Sequence, residues 1–102
     1  MAALTRTEIV KRFPLGDRSL RTIRATSGAG ANPADEYIVT GLSYIDAIVG
    51  WAVVGTDPTT APAVFKKNAR GTGVTEGTNR GDLGVEFGGT GIVFEVTVIG
   101  RP

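Results

Sequence analysis

The sequence predicts an all-β fold: a single compact β-sandwich or barrel over residues 1–102, with about seven or eight short strands and jelly-roll or Greek-key connections. Three observations support this prediction. The 102 residues are a typical length for one domain. Apolar and polar side chains alternate in most segments, as they do in strands with one buried face. Turns rich in glycine and proline separate these segments at short intervals.

The first strand is predicted near the N-terminus. Residues Thr7–Phe13 alternate in polarity, and we expect Pro14 to end the strand because a proline has no N–H to donate to the sheet. The three residues 15–17 are typical of a turn. Residues 1–16 are either the first part of the domain or an N-terminal arm.

The second strand is predicted over the basic segment Arg18–Thr26, which is rich in β-branched residues. Its two large apolar residues, Leu20 and Ile23, fall on opposite faces, and this indicates either a bulge or an edge strand. A loop of small residues follows at 27–34, and Glu36–Leu42 is predicted as a short strand.

The segment Tyr44–Gly55 is compatible with a helix or a strand. Ser43 and Asp46 resemble a helix capping box, whereas Gly50 and several β-branched residues disfavour a helix. We favour the strand because β propensity and the short, bounded length agree. Its apolar residues then divide between two faces, with Ala47, Val49, Trp51 and Val53 on one and Ile48, Ala52 and Val54 on the other. Two apolar faces indicate a central strand or one covered by a partner chain.

Three more strands are predicted toward the C-terminus. They are expected at 63–69, Val85–Phe87 and Ile92–Ile99. The last of them shows the strongest alternation in the chain. A proline-containing loop at 56–62 and a glycine turn at 88–91 separate the predicted elements. The long Gly/Thr/Asn loop at 71–84 has a length that is usually functional or mobile.

The composition excludes most catalytic chemistry. The chain contains no Cys and no His but 15 Gly. It can therefore hold no disulfide, no metal or haem site built on Cys or His, no Cys nucleophile and no His general base. Neither Gly-x-Gly at 71–73 nor that at 89–91 continues into a phosphate-binding fingerprint. We expect a protein that is not an enzyme, with no catalytic, metal-binding or cofactor-binding residues and no cofactor.

Targeting signals are also missing from the sequence. Its first residues lack the apolar segment of a signal peptide. The longest apolar stretch, 44–55, contains Asp46 and is too short to span a bilayer. The sequence therefore predicts a protein made in a cytoplasm, with no membrane partner.

The formal net charge of +1 conceals a segregation of charge along the chain. Residues 1–30 carry six bases and two acids, 31–62 carry four acids and no base, and 63–102 carry five bases and four acids. The basic leading segment either contacts an acidic partner or lies on the solvent side of strands, neutralised by the acidic middle. Nucleic acid is disfavoured because no aromatic platform accompanies the bases. The candidate contact residues are Arg6, Lys11, Arg12, Arg18, Arg21 and Arg24.

Two further features have both a structural and a functional interpretation. Trp51 is either a core anchor or a hot spot in a subunit interface, because Trp is enriched in such interfaces. The candidates for an oligomer interface are Trp51, Val49 and Val53. The predicted long loop contains Arg80-Gly81-Asp82, the tripeptide that integrins recognise. In a loop of this composition we interpret the tripeptide as an incidental turn.

The stretch Tyr37–Trp51, the loop Asn68–Gly84 and the ending Gly91–Pro102 resemble small structural proteins of tailed bacteriophages, most closely head decoration (cement) proteins. The resemblance implies a non-enzymatic β domain that binds and stabilises the capsid exterior of the virion and is made in the host cytoplasm. It also implies the major capsid protein as partner and a homotrimer as the oligomeric state. It assigns no catalytic residue.

Two other classes of function stay open. One is a carbohydrate- or cell-surface-binding β module of a phage tail fibre or spike, in which Trp51, Tyr37 or Tyr44 stacks on a sugar. The other is an enzyme that uses paired carboxylates, which requires two acidic side chains in one cleft.

Overall fold

Two four-stranded β-sheets pack face to face in the described part of the chain. The computed structural model describes residues 2–3, 7–26, 36–54, 64–86 and 92–102, with the backbone alone for 2–3 and 7–11. The strands in chain order are β1 (Ala2–Ala3), β2 (Thr7–Leu15), β3 (Arg18–Thr26), β4 (Glu36–Val39), β5 (Tyr44–Val53), β6 (Val64–Lys67), β7 (Asp82–Glu86) and β8 (Val93–Arg101). The all-β prediction is confirmed, and the two stacked sheets are those of a β-sandwich.

The two sheets differ in strand length. The long sheet has the strand order β2-β3-β8-β5, and the short sheet has the order β1-β4-β7-β6. Neighbouring strands are antiparallel except β1 and β4, which run parallel. Among the described strands, β2–β3 and β6–β7 are consecutive neighbours in one sheet, and every other connection passes between the sheets. Most strands that follow one another in the sequence therefore face each other across the core.

The β2–β3 hairpin turns at Gly16 and Asp17, within the predicted turn. Gly16 has a φ of +68°, which suits the first central position of a two-residue hairpin turn. Pro14 does not end β2, which stays paired with β3 through Leu15. Because β2 is an edge strand, a proline nitrogen that faces away from β3 removes no hydrogen bond from the sheet. β2 is thus part of the long sheet, so Thr7–Leu15 are paired within the domain.

The predicted bounds of the second strand are confirmed, but its predicted position at an edge of the sheet is wrong. β3 lies between β2 and β8, and its register with β8 is regular from Ser19 to Thr26. It is therefore neither an edge strand nor bulged against β8. The irregularity lies in β2, between Ile9 and Lys11. Leu20 belongs to the outer face of the sandwich, and this explains why it does not share the face of the core residues of β3.

The core lies between the sheets and draws on both. β8 shows the predicted alternation: Phe94, Val96 and Val98 are fully buried, whereas the residues between them are half-buried on the opposite face. The other core side chains are Ile23, Ala25, Ile38, Leu42, Ile45, Leu83, Val85 and Ile92. Complete burial of one large apolar side chain contributes roughly 1.5–3 kcal/mol. Because the chain has no Cys, this core stabilises the fold without a disulfide.

β5 is a strand and not a helix, as the sequence analysis favoured. Irregularities between Ile45 and Ala47 and between Ile48 and Gly50 each insert one residue and reverse the alternation. The residues of β5 on the core-facing side of the sheet are therefore Ile45, Ile48, Trp51 and Val53. The predicted division of faces is wrong, and β5 is an edge strand of the long sheet instead of a central one.

The ends of several elements differ from the prediction. β4 ends at Val39, before the predicted Leu42, and β6 lies inside the predicted segment 63–69. β7 begins at Asp82, so the long loop is shorter than predicted. The predicted connections at 27–34, 56–62 and 88–91 lie outside the described residues.

Candidate functional site on the outer face of the long sheet

The chain's own loop covers part of the outer face of the short sheet. Residues 68–81 connect β6 to β7, and within them the backbone of Gly71 lies against Gly84 of β7. A Cβ atom at Gly84 would lie 2.7 Å from the carbonyl carbon of Gly71, so glycine is required for this close approach. Lys66 Nζ donates to the carbonyl oxygen of Thr72 at 2.9 Å and fastens the loop to β6. The middle of this face is therefore used for internal contacts, whereas Val39 and Val64 on it stay exposed.

One row of side chains on the outer face of the long sheet is apolar. The register places Phe13, Leu20, Ile99 and Ala47 side by side across all four strands. Phe13 is 52% exposed and Ala47 is exposed, whereas Leu20 and Ile99 are half-buried. Leu15, next to this row on β2, is 49% exposed. We call the four residues Phe13, Leu20, Ile99 and Ala47 the apolar row.

Polar pairs border the apolar row on one side. The hydroxyl groups of Thr22 and Thr97 share a hydrogen bond of 2.9 Å. Beyond them, Arg24 donates to Glu95 Oε2 from Nε at 3.0 Å and from Nη2 at 2.6 Å. Cross-strand pairs of this kind contribute roughly 0.2–1 kcal/mol each. They give the apolar row a border of satisfied polar groups.

Arginines border the apolar row on the other side. Arg18 Nε donates to Asp46 Oδ2. Arg101 pairs in register with Tyr44 at the end of the sheet. The Cζ atoms of Arg80 and Arg101 lie 5.2 and 5.9 Å from the centre of the Tyr44 ring, within the range of cation–π attraction. The basic character of this border therefore comes partly from residues that the sequence analysis did not select.

The six basic residues predicted as contacts do not form one patch. Arg6 lies outside the described residues. The backbone of Lys11 on β2 pairs with Thr22 of β3, at an outward-facing position of the sheet. Arg12 is exposed at the sheet edge. Arg18 and Arg24 face outward: Arg24 is bound to Glu95, and Arg18 is bound to Asp17 and to Asp46, of which Asp46 belongs to the acidic middle segment. Contact of these residues with a partner stays a prediction.

Arg21 lies on the opposite face of the sheet, toward the core. It pairs in register with the buried Val98, and its Nη1 donates to the Thr40 carbonyl oxygen at 2.9 Å. Its Nε is buried and has no hydrogen-bond partner among the described residues. Burial, and then the charge of Arg12, lowers the pKa of Arg21. Arg21 therefore lies on the opposite side of the sheet from Arg18 and Arg24, and its contact with a partner stays a prediction.

Replacing Arg21 by methionine is expected to change the affinity for an outer-face partner by less than about twofold and to lower the free energy of unfolding by about 1–2 kcal/mol. The buried Thr40 carbonyl oxygen loses its Arg21 donor, and this cost is partly offset because no guanidinium has to be desolvated and methionine fills similar apolar volume. Urea denaturation and partner titration measure the two quantities. Arg24→Met is the matched control, because it removes an outward arginine. Equal losses of affinity in both variants would contradict the inward position of Arg21.

The three oligomer-interface candidates have different environments. Val53 is partly buried and packs against the core. The Trp51 ring lies 5.7 Å from that of Phe65, which lies 6.1 Å from that of Phe94, so these rings join the edges of the two sheets. Trp51 is nevertheless 45% exposed, and Val49 is 60% exposed. Both the structural and the interface interpretation of Trp51 are compatible with this position.

The Arg80-Gly81-Asp82 tripeptide is not displayed as a ligand. Asp82 is 7% exposed, and its Oδ2 accepts a hydrogen bond of 2.7 Å from Arg70 Nε. That hydrogen bond raises the pKa of Arg70. Gly81 is buried against the carbonyl group of Leu42. The interpretation as an incidental turn is supported, because two of its three residues are enclosed by the fold.

Asn68 organises the loop and was missed by the sequence analysis. Its buried side chain donates to the Ile45 carbonyl oxygen and accepts from the Ile45 N–H, both at 2.9 Å, and also accepts from the Gly81 N–H at 3.0 Å. The backbone carbonyl oxygen of Asn68 accepts hydrogen bonds from the backbone N–H groups of Gly77 and Asn79. Asn68 therefore ties the loop to β5. Its φ of +56° is one that Asn tolerates, but one Asn in a polar loop gives no signal in the sequence.

Other kinds of site find no support in the described ranges. There, no three acidic side chains approach closely enough to hold a metal ion. The same residues include no helix with the length and apolarity needed to cross a membrane. Comparison with protein-family models, curated proteins and solved structures finds no match for this chain.

Proposed function

We propose that this protein is a non-enzymatic virion structural protein that binds and stabilises a capsid exterior, as head decoration (cement) proteins do, and that it docks through the outer face of its long sheet. The apolar row carries the proposal, because it forms one band across four strands and has charged and polar borders. Protein interfaces commonly combine an apolar centre with a polar rim. The resemblance to decoration proteins supports the major capsid protein as the partner.

A rigid sheet is well suited to this kind of docking. The apolar row lies on paired strands, so little conformational entropy is lost when the surface binds. A capsid presents many equivalent sites, and an oligomer that engages several of them gains avidity. The homotrimer is part of the proposal, and Val49 and Trp51 are its exposed interface candidates.

Capsids purified without this protein provide the direct test. The protein is expected to sediment with them and to raise the temperature at which they disrupt. Its binding is expected to saturate at a fixed number of copies per capsid subunit. Failure both to sediment with the capsids and to stabilise them, at saturating concentration, would refute the proposal.

The double substitution Leu20→Thr/Ile99→Thr is expected to weaken capsid affinity by about tenfold or more. It removes apolar atoms from the middle of the row, and burial of one CH₂ group contributes roughly 0.8 kcal/mol. Threonine is β-branched and favourable in strands, so the fold is expected to persist. Quantitative co-sedimentation measures the affinity.

Val39→Thr is the matched control for this double variant. Val39 is a 54% exposed residue on the outer face of the short sheet, away from the apolar row. Its substitution is expected to change capsid affinity by less than about twofold. Similar losses in the control and in the double variant would show that docking does not depend on the apolar row.

The carbohydrate-binding alternative needs an aromatic ring that is open to a sugar. Tyr37 has the Arg70 guanidinium over its ring at 5.3 Å, and Tyr44 lies beside two arginines. Trp51 packs against Phe65. No observation on the described residues favours this alternative, and a glycan array without binding would remove it.

A further inference from the structure

Two arginines share one tyrosine ring at the end of the outer face. The Cζ atoms of Arg80 and Arg101 lie 5.2 and 5.9 Å from the Tyr44 ring centre, and both arginines are exposed. Neither forms an ion pair with a described residue, whereas Arg18 and Arg24 on the same sheet each have a carboxylate partner. Two exposed cations therefore lie near one tyrosine ring and form no ion pair with the described residues.

The backbone holds both arginines in position. The Arg101 carbonyl oxygen accepts hydrogen bonds from the Ser43 N–H at 2.8 Å and from Ser43 Oγ at 3.3 Å. Arg80 precedes the buried Gly81, whose N–H donates to a buried side chain at 3.0 Å. The Tyr44 ring attracts both guanidinium groups through the negative charge of its face. This arrangement is preorganised, and preorganisation lowers the entropic cost of binding.

The chemistry of the surroundings favours a polypeptide ligand. Two guanidinium groups near one ring repel each other, and carboxylates bound to them neutralise the charge that causes the repulsion. A carboxylate matches a guanidinium through two parallel N–H···O bonds. The exposed Leu15 and the apolar row lie on the same face, and the carboxylates of Asp17 and Asp46 lie at Arg18. These carboxylates disfavour a phosphate backbone, whereas a polypeptide supplies both carboxylates and apolar side chains.

We propose that Arg80 and Arg101, which both contact the Tyr44 ring, bind the carboxylates of an acidic segment of a partner protein. We call these three residues the arginine clamp. The inference rests on the proposed function, because the clamp lies on the face through which we expect the protein to dock. It adds that the docking partner carries an acidic segment beside an apolar one. Arg18 is not part of the clamp, since Asp17 and Asp46 already neutralise it.

A hexaglutamate peptide with blocked termini is the probe for the clamp. In a titration of the isotope-labelled full chain at low ionic strength, the Nε–Hε resonances of Arg80 and Arg101 are expected to shift. Arg80→Gln and Arg101→Gln are each expected to weaken peptide binding by about tenfold. Arg12→Gln removes an exposed arginine elsewhere and is the matched control, expected to change affinity by less than about twofold. Thermal unfolding of each variant verifies that it is folded.

Several outcomes would overturn the clamp. They are equal losses in the control and clamp variants, equal affinity for a hexaglutamine peptide, and tighter binding of a single-stranded oligonucleotide. Peptide binding that persists in Leu20→Thr/Ile99→Thr supports a site separate from the apolar row. Peptide binding at the clamp without any capsid binding refutes the proposed function alone. Capsid binding that is unchanged in Arg80→Gln and Arg101→Gln refutes the clamp as a docking site and leaves the proposed function standing.

Discussion

Replacing Asn68 by alanine is expected to lower the free energy of unfolding by about 4 kcal/mol. The substitution leaves the N–H and C=O of Ile45 and the N–H of Gly81 without their side-chain partner in a buried region. Each unsatisfied buried group costs roughly 1–3 kcal/mol. Alanine at a φ of +56° adds further strain. Chemical denaturation followed by Trp51 fluorescence measures the change.

Two control substitutions separate the contributions to this effect. Asn68→Gly removes the same side-chain hydrogen bonds but tolerates the positive φ, so it is expected to destabilise less than Asn68→Ala by about 1 kcal/mol. Asn79→Ala removes an asparagine from the same loop, where Oδ1 accepts a single hydrogen bond of 3.1 Å from the Arg70 N–H. Its expected cost is about 1 kcal/mol. A cost of Asn68→Ala no larger than that of Asn79→Ala would contradict the role of Asn68.

Replacing Gly81 by alanine is expected to destabilise the protein by about 3–4 kcal/mol. The added Cβ would lie 2.0 Å from the Leu42 carbonyl oxygen, so the loop or the segment before β5 has to move. The φ of +86° is also unfavourable for any residue with a side chain. Thermal and chemical unfolding of the variant measure the cost.

Gly77→Ala is the matched control for Gly81→Ala. Gly77 lies in the same loop and has a φ of +93°, but no atom lies within 4 Å of the position that a Cβ would occupy. Its substitution therefore reports the backbone strain alone, which we expect to cost about 1–2 kcal/mol. The difference between the two variants measures the close contact with Leu42. If both variants are destabilised equally, that contact relaxes without cost.

Asn68 and Gly81 also determine the geometry of the arginine clamp. Asn68 binds the N–H of Gly81, and Arg80 is the next residue toward the N-terminus. A variant that displaces this turn while remaining folded is expected to lose affinity for hexaglutamate although all clamp side chains are present. The loop thus links the internal packing of the short sheet to the proposed docking face of the long sheet.

The alternation of apolar and polar side chains in the sequence was sufficient to predict most strands. The bounds of β3 agree with the predicted Arg18–Thr26, and β8 has the predicted core face. β5 was correctly predicted as a strand, but its faces were not, because two register shifts reverse the side chains that follow them. Pro14 does not end β2, contrary to the prediction, because the effect of a proline on a strand depends on whether the strand lies at an edge of its sheet.

The candidate site was less predictable than the fold. The predicted basic residues include Arg18 and Arg24, whose charges are paired, and Arg21, which faces the core. The clamp arginines, Arg80 and Arg101, lie in a loop and near the end of the last strand, where no local pattern distinguishes them. They are brought together by Tyr44, which is distant from both in the sequence.

Residue types and their local order were enough to establish an all-β class and to exclude chemistry that depends on Cys or His. These are properties of neighbouring residues, so they can be read without knowledge of long-range contacts. Which face is open, which charges are paired and which residues meet at the clamp were decided by the tertiary structure alone. The reason is that the rows on the sheet join distant residues, as Arg24 and Glu95 do across 71 positions. Their alignment depends on strand register and on bulges that the sequence does not mark.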